Sequence, residues 1–186
     1  TYVFTKISGL PENQIMGSGT ILDTARLRYG LSEHFKVAQG NIHAYVFGEH
    51  GDTSFIPWTG AYISGLSTDE YYEEMKAHGK DVKPLDKEAM LEYVQKSGGK
   101  VIAKKGATFY AVSATVCQLV GLILAASDSL ATVSSMLHGE YGIEDVCLST
   151  LTLVGPNGTQ GKVQMRMNKE EVELLKKSAN ALKEVI

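Results

Sequence analysis

Cysteine is scarce: Cys117 and Cys147 are the only two in 186 residues. Each sits in an apolar stretch, so the sequence predicts reduced core thiols in a cytoplasmic protein rather than a disulfide framework. Neither sign of charge dominates. Eighteen Lys and Arg stand against 21 Asp and Glu, a net charge of −3, with the two signs interspersed. That balance leaves no basic footprint for nucleic acid or for an anionic membrane. Long hydrophobic runs are missing too. The most apolar stretch, Ala111 to Ala126, carries Ser113, Thr115 and Gln118 and falls short of the roughly 20 residues that a membrane span needs. It reads as a buried helix. A signal-peptide pattern, internal repeats and low-complexity linkers are absent, and one domain over residues 1–186 is expected. With 44% apolar and 21% charged residues, the chain has the makeup of an ordered globular protein.

A dinucleotide fingerprint is also lacking. GSGTIL at 17–22 imitates one, because it lies between a short expected strand and a helix. Leu22 occupies the place of the third glycine, and the stretch where an acidic residue belongs reads VAQGN. The chain therefore carries no nucleotide fold of its own.

Several elements announce themselves. TYVFTKISGLP reads as the tail of a helix, stopped by Gly9 and kept from resuming by Pro11. NQIMGSG suggests a short strand running into a glycine turn. From Asp23 to about Val37 the pattern is helical, with Leu22, Ala25, Tyr29 and Phe35 as the repeating face. Residues 41–48 alternate like a strand, Ile42, Ala44 and Val46 opposing His43, Tyr45 and Phe47, and end in the turn GEHGD. SFIPWTGAYISG is expected to be extended and then helical. Helices follow near Asp69–His78 and Asp86–Lys105, the second ended by Gly106 and holding Gly98 and Gly99 against helix propensity. Strands are expected at Ala131–Leu137, Cys147–Val154 and Lys162–Met167, with GPNG as a turn, and Asn168 caps a last helix. Helices and antiparallel-looking hairpins without regular βαβ alternation predict an α+β fold.

Few residues carry chemistry. His50, with Gly48 and Gly51 flanking its turn, can face a cleft and exchange protons near neutral pH; alternatively it is a turn histidine bonded to a carbonyl. Asp23 and Arg26 stand three apart on one helical face. Arginine can clamp a carboxylate through two parallel hydrogen bonds, and aspartate can orient a histidine and favour its charged form; a plain surface ion pair is the alternative. Arg28 lies about 200° around the helix from Arg26, so the two arginines serve different faces. Arg28 could meet His43 in a second, basic anion site, or be a solvated charge. Thr108, after Gly106, suits a helix cap or an anion-binding helix start.

Taken together, GSGTILDTARLR, then HAYVFGEHGD, then KKGATFYAVS, with the opening TYVFTKISGLP, resemble the L-lactate dehydrogenase family over essentially the whole chain. The resemblance implies the catalytic, substrate-binding C-terminal domain of that family, an antiparallel sheet packed with long helices and no Rossmann domain. His50 would be the proton donor and acceptor, Asp23 its carboxylate partner and Arg26 the clamp on the substrate carboxylate. Thr108 would line the substrate pocket and Ser18 would lie near the nicotinamide of NAD. Pyruvate and L-lactate are the implied substrates. Arg28 and His43 match positions that bind fructose 1,6-bisphosphate in allosterically activated members, and a homotetramer is implied. Two departures stand out. The nucleotide-binding half and its mobile arginine loop are not in the sequence, so most of the NAD site is expected elsewhere, and Leu27 replaces a phenylalanine between the two arginines. Competing readings are a lactate-dehydrogenase-like malate dehydrogenase half and a non-catalytic anion-binding or oligomerisation module.

Overall fold

A computed structural model describes residues 1–125 and 127–186. Ala126, the last residue of the apolar stretch, lies outside them. The expected α+β class holds: among the described residues six α-helices accompany eight short strands, and every strand pairing is antiparallel.

The chain opens on helix α1 (Tyr2–Ile7), and Gly9 beyond it takes the left-handed conformation (φ 70°) that glycine alone adopts freely. The strand expected in NQIMGSG is not formed. Residues 12–14 make a 3₁₀ turn, and only Gly17 pairs, with Ser134. Helix α2 (Ile21–Phe35) carries Asp23 in its first turn, where a carboxylate complements the helix dipole, and stops at left-handed Lys36. Its buried stripe is Thr20, Thr24, Leu27, Leu31 and Phe35, at helical steps of three and four. Of the face predicted from Leu22, Ala25, Tyr29 and Phe35, only Phe35 is buried; Leu22 is half-buried, and Ala25 and Tyr29 are exposed. Two threonines with internally satisfied hydroxyls take the place of aliphatic residues in the true stripe, so an apolar pattern could not mark it.

Strand β1 (Ile42–His43) and the extended chain after it bury Ile42, Ala44 and Val46, as the alternation predicts. Where the latter part of SFIPWTGAYISG is expected to be helical, only a 3₁₀ turn (Trp58–Gly60) forms, followed by a hairpin of β2 (Tyr62–Ile63) and β3 (Leu66–Ser67). Its two-residue turn, Ser64 and Gly65, has φ of 50° and 90°, the mirror-image turn that suits strand twist. Ser67 and Glu70 then form a reciprocal cap on α3 (Thr68–Ala77).

Helix α4 (Lys87–Lys105) is capped by the Asp86 carboxylate and ended by left-handed Gly106, as expected. It packs on α2 through Leu27, Leu31 and Val94. Gly30 makes the approach possible, because a Cβ there would lie 2.7 Å from the Met90 sulfur. Gly98 and Gly99 need no such excuse. Neither has a positive φ and an added Cβ would meet no backbone, yet each costs about 1 kcal/mol relative to alanine in a helix interior.

Helix α5 (Tyr110–Leu124) is not the buried helix its composition predicts. Only Thr115 and Leu119 are buried, while Tyr110 and Leu124 are 81% and 80% exposed. Leu119 packs with Ile21, Val133 and Val154, with Leu122 and Ile123 half-buried against the same cluster, while Val112, Val116 and Val120 stay exposed. Apolarity shows that a partner is wanted, not that this chain supplies it. Cys117 is accordingly exposed rather than in the core, whereas Cys147 is buried as expected; both are unpaired.

The second half forms two small sheets. Strand β4 (Ser129–Ala131) pairs with β7 (Thr152–Gly155), and β7 with β8 (Gly158–Lys162). Strands β5 (Ser134–His138) and β6 (Glu144–Ser149) pair with each other. The expected strands 131–137 and 147–154 are each broken, at 132–133 and 150–151, where the chain passes between sheets. The expected strand Lys162–Met167 is displaced: the GPNG turn closes β7 onto a partner that begins at Gly158 and ends at Lys162. Asn168 and Glu171 form a second reciprocal cap on α6 (Lys169–Lys183), confirming the predicted start. No helix among the described residues is long and apolar enough to cross a membrane.

Candidate active site

The site begins with two threonines that local pattern did not single out. The Thr20 hydroxyl donates to the carbonyl of Val46 (2.5 Å), and the Val46 N–H donates to Oγ1 of Thr24 (3.0 Å). Thr24 also meets the Thr132 hydroxyl at 3.1 Å. One residue of the extended chain is thus held at both its polar groups by the first turns of α2. Helix and strand cannot slide past each other without stranding buried donors.

A second device sets the width. Gly17 and Ser134 exchange backbone hydrogen bonds (2.8 and 3.0 Å), as do Gly48 and Ser149 (3.0 and 3.1 Å). Ser134 and Ser149 face each other across β5 and β6. These four residues form one row, with Ser18 following one end and Glu49 and His50 following the other. Gly48 (φ 98°) must be glycine: a Cβ would lie 2.7 Å from Oγ of Ser178, which in turn accepts the Glu49 N–H at 2.8 Å. The Glu49 carboxylate is tied down by the Thr53 hydroxyl (2.7 Å), and Gln95 of α4 donates to the carbonyls of Asp52 (3.2 Å) and Ser54 (2.9 Å). The turn bearing His50 is therefore fixed by α6 on one side and α4 on the other.

Within this frame Asp23, 4% exposed, divides its two oxygens. Oδ2 accepts from Nδ1 of His50 at 2.6 Å, and Oδ1 accepts from Nη1 of Arg26 at 3.0 Å. With Nδ1 donating, Nε2 is left as the working nitrogen, and it has no partner among the described residues. The hydrogen bond to Asp23 holds the His50 imidazole above its ordinary proton affinity; partial burial and the Arg26 charge pull the other way and do not prevail. Nε and Nη2 of Arg26 also lack partners among the described residues. His50 is thus a cation-favouring imidazole beside an arginine with spare donors.

Two concavities meet at His50. One, of about 280 Å³, is walled by Asp23, Arg26 and Thr108, together with Gly98 and Gly99 of α4. The other, of about 380 Å³, is lined by Ser18 and floored by the row Gly17, Ser134, Ser149, Gly48. Structure thus brings His50, Asp23, Arg26 and Thr108 into one cleft and sets Ser18 on the far side of the imidazole. Thr108 does not cap α5; Phe109 holds the cap position. Arg28 points away from this cleft, as the helical angle requires. Its Nε donates to the carbonyl of Ala44 (3.1 Å), and its guanidinium lies 5.0 Å from the centre of the Tyr45 ring. It makes no hydrogen bond or ion pair with His43 among the described residues; His43 is exposed beside Ala44. No group of three metal-ligating side chains occurs among the described residues.

The model of the lactate/malate dehydrogenase alpha/beta C-terminal domain matches residues 20–186. The chain belongs to that family. It is 46% identical over 186 residues to L-lactate dehydrogenase from Acetivibrio thermocellus, covering all of this chain and 58% of that protein. Against L-lactate dehydrogenase 1 from Clostridium acetobutylicum it is 43% identical over 184 residues, again 58% of the relative. Among solved structures, an L-lactate dehydrogenase from Clostridium thermocellum superposes over the whole chain with a TM-score of 0.88 at 37% identity, covering 59% of that chain. A lactate dehydrogenase from a Medee basin deep-sea metagenome library gives a TM-score of 0.92 at 30% identity over 98% of this chain and 57% of its own. This chain of the lactate/malate dehydrogenase family therefore spans somewhat more than half the length of the relatives it matches.

Among the residues that build the site, Thr20, Thr24 and Gln95 escaped sequence reasoning, as did the hydroxyl residues Thr53, Thr132, Ser134, Ser149 and Ser178. Thr20 and Thr24 carried one available signal, their i, i+4 spacing in line with Leu27 and Leu31. Gln95 carried none.

Proposed function

We propose that the chain is the substrate-binding half of an NAD-dependent L-2-hydroxy acid dehydrogenase that interconverts pyruvate and L-lactate. The observation that carries this reading is the single buried carboxylate of Asp23 holding His50 and Arg26 together at one cleft. Arg26 offers Nε and Nη2 to the carboxylate of an oxo acid, a planar fork matching a planar anion. Protonated His50 presents Nε2–H to the keto oxygen and gives up that proton as the oxygen becomes an alcohol; neutral His50 takes it back in the reverse direction. Asp23 stabilises the imidazolium and keeps Nδ1 as its donor. Thr108 closes the cleft beside the substrate.

When bound, NADH would supply the hydride for reduction of the keto carbon, and NAD⁺ would accept it in the reverse direction. The residues present fit its reacting end: Ser18 offers a hydroxyl, and the row from Gly17 to Gly48 offers a floor whose outer residues bear no side chain, suited to a flat ring. Nothing in GSGTIL suits a pyrophosphate, so the rest of the cofactor site belongs to the portion of the relatives that this chain does not span. Arg28 and His43 are proposed to take a phosphate of fructose 1,6-bisphosphate at a contact between subunits of a homotetramer. In support, one backbone carbonyl, that of Ala44, anchors the arginine next to the histidine. The two unpaired thiols agree with a cytoplasmic location.

The test is oxidation of NADH by pyruvate and by oxaloacetate, in the full-length enzyme carrying this chain, with and without fructose 1,6-bisphosphate. Fast pyruvate turnover raised by the effector is expected. Preference for oxaloacetate would move the chain to the malate branch, and turnover of neither would refute the dehydrogenase reading.

A further inference from the structure

Among the described residues three lysines are half-buried, and two of them meet a carboxylate: Lys87 lies 2.8 Å from Asp69, and Lys176 lies 2.8 Å from Glu173. The third, Lys162 at the end of β8, forms no ion pair among those residues. Its Nζ donates instead to two buried hydroxyls, that of Ser135 on β5 and that of Thr152, its cross-strand partner on β7, at 3.2 Å for the second. The side chain borders a recess of about 200 Å³, lined also by Ser135, Thr152, Glu12, His138 and Glu140, and it touches neither concavity at His50. The two carboxylates of the recess are committed elsewhere. Glu12 holds the His138 ring at 2.5 Å, and Glu140 accepts the His138 N–H at 2.6 Å. Glu140, the Cys147 thiol and Glu12 all favour a charged Lys162, yet lost hydration outweighs them and brings the ammonium from 10.5 down to about 8. An ammonium here has a third N–H without an acceptor among the described residues. A neutral amine satisfies both hydroxyls and keeps its lone pair free.

From this geometry we propose that Lys162 is a nucleophilic amine that condenses with small neutral aldehydes, forming a covalent site separate from the His50 cleft. A lysine relieved of its proton by a poorly hydrated setting is the form that makes Schiff bases. The ammonium first gives its proton to solvent. The nitrogen lone pair then forms the C–N bond to the carbonyl carbon, and the C=O pair moves to oxygen to give a carbinolamine. That oxygen leaves as water, carrying the two amine hydrogens, and an imine remains with no net oxidation. The recess suits this product. An imine nitrogen is less basic than an amine, so it stays uncharged where charge is costly, and the Ser135 hydroxyl can turn to donate to it. Size and charge define the class of partner. The recess lies below the roughly 300 Å³ at which pockets for larger ligands begin, so only a few heavy atoms fit. Glu12 and Glu140 repel anionic electrophiles, and they would equally oppose the negative carbamate formed with carbon dioxide.

The experiment treats the full-length enzyme carrying this chain with limiting acetaldehyde and cyanoborohydride, which reduces an imine to a stable ethylamine, and maps labelled lysines by peptide mass spectrometry. At about pH 7.5 roughly one Lys162 in four is neutral, against roughly one in a thousand for a lysine of ordinary affinity. Lower basicity and restricted access return part of that advantage, so Lys162 should be labelled at least about 10-fold faster than exposed Lys36. The ratio should shrink above about pH 8, where Lys162 has no more protons to lose and ordinary lysines begin to lose theirs. Glyoxylate, an aldehyde of similar size bearing a carboxylate, should favour Lys162 over Lys36 less than acetaldehyde does, and Glu12→Gln with Glu140→Gln should narrow that difference. Labelling of Lys162 no faster than Lys36, or a ratio unmoved by pH, overturns the assignment. Glyoxylate labelling as selective as that by acetaldehyde overturns the neutral class. None of these results bears on the dehydrogenase reading, because the site shares no residue with the cleft.

Discussion

Replacing Thr24 with valine preserves the shape of the side chain and removes only its hydroxyl. Two groups then lose a partner: the N–H of Val46, a residue with no exposed surface, and the hydroxyl of Thr132, 2% exposed. A buried donor left unsatisfied costs roughly 1–3 kcal/mol, so Thr24→Val should destabilise by about 2–3 kcal/mol. At roughly 2–4 °C per kcal/mol for a domain of this size, the melting temperature should fall by about 4–12 °C. Thr20→Val is the control. It frees the Val46 carbonyl, and under-satisfied carbonyls are tolerated better than orphaned N–H groups, so its cost should stay near 1 kcal/mol. Because both threonines hold the same residue, the double variant should depart from additivity by roughly 0.5 kcal/mol or more. Urea unfolding with unchanged m values supplies all three numbers. If Thr24→Val costs no more than Thr20→Val, or if both are near zero, the clamp on Val46 is not what sets α2 against the strand leading to His50.

Asp23→Asn should lower the proton affinity of His50, since the bond to Asp23 is the largest cause of its elevation; an NMR titration of the His50 ring would show the midpoint fall, and oxo-acid reduction would retreat to lower pH with it. The raised value also means that His50 stabilises the fold fully below its unfolded pKa, near 6.5, and progressively less as pH rises through the folded value. Lys162 behaves oppositely: burial pushes its ammonium down from 10.5 to about 8, so stability should rise between those two pH values. Lys162→Met should flatten that rise and stabilise the protein at pH 7 by up to about 3 kcal/mol, less whatever is lost with the bonds to Ser135 and Thr152; an unchanged slope in pH-dependent unfolding would contradict this. Arg28→Gln should abolish the response to fructose 1,6-bisphosphate while pyruvate turnover without effector persists; loss of that turnover would show that the two arginines do not serve separate faces.

What could be read from the sequence was whatever announces itself locally. Asp86, Gly106 and Asn168 are end signals whose chemistry works within a few residues, and α4 and α6 begin or end where those signals place them. The grouping of His50, Asp23 and Arg26 was legible through a pattern that spans two elements. Features settled by distant partners were not. The face of α2 was misjudged because its threonines are satisfied by Val46, some 22 to 26 positions away. The exposure of α5 was missed because apolar residues look alike whether or not a partner is at hand. The β2–β3 hairpin hid because its turn places a serine, not only a glycine, at positive φ. Gly98 and Gly99 were visible as an anomaly, and only the placement of α4 beside Arg26 shows that they line the cleft.

The row Gly17, Ser134, Ser149, Gly48 acts as a gauge. Its outer members sit about 15 Å apart, by the alternating spacing of paired strands, and that gap is handed on to Ser18 and His50. The two kinds of length change in the β5–β6 hairpin should therefore have opposite fates. Residues inserted beside Gly139, which is exposed at the tip, leave the gauge untouched, and whole loops could be grafted there. A single residue deleted from either strand shifts the alternation by one and turns every following side chain to the opposite face. Val146 and Leu148 would then point away from the core, and the row could close only by abandoning one of its glycines. Tolerance to insertion and deletion along this hairpin, scored position by position, would trace the gauge directly.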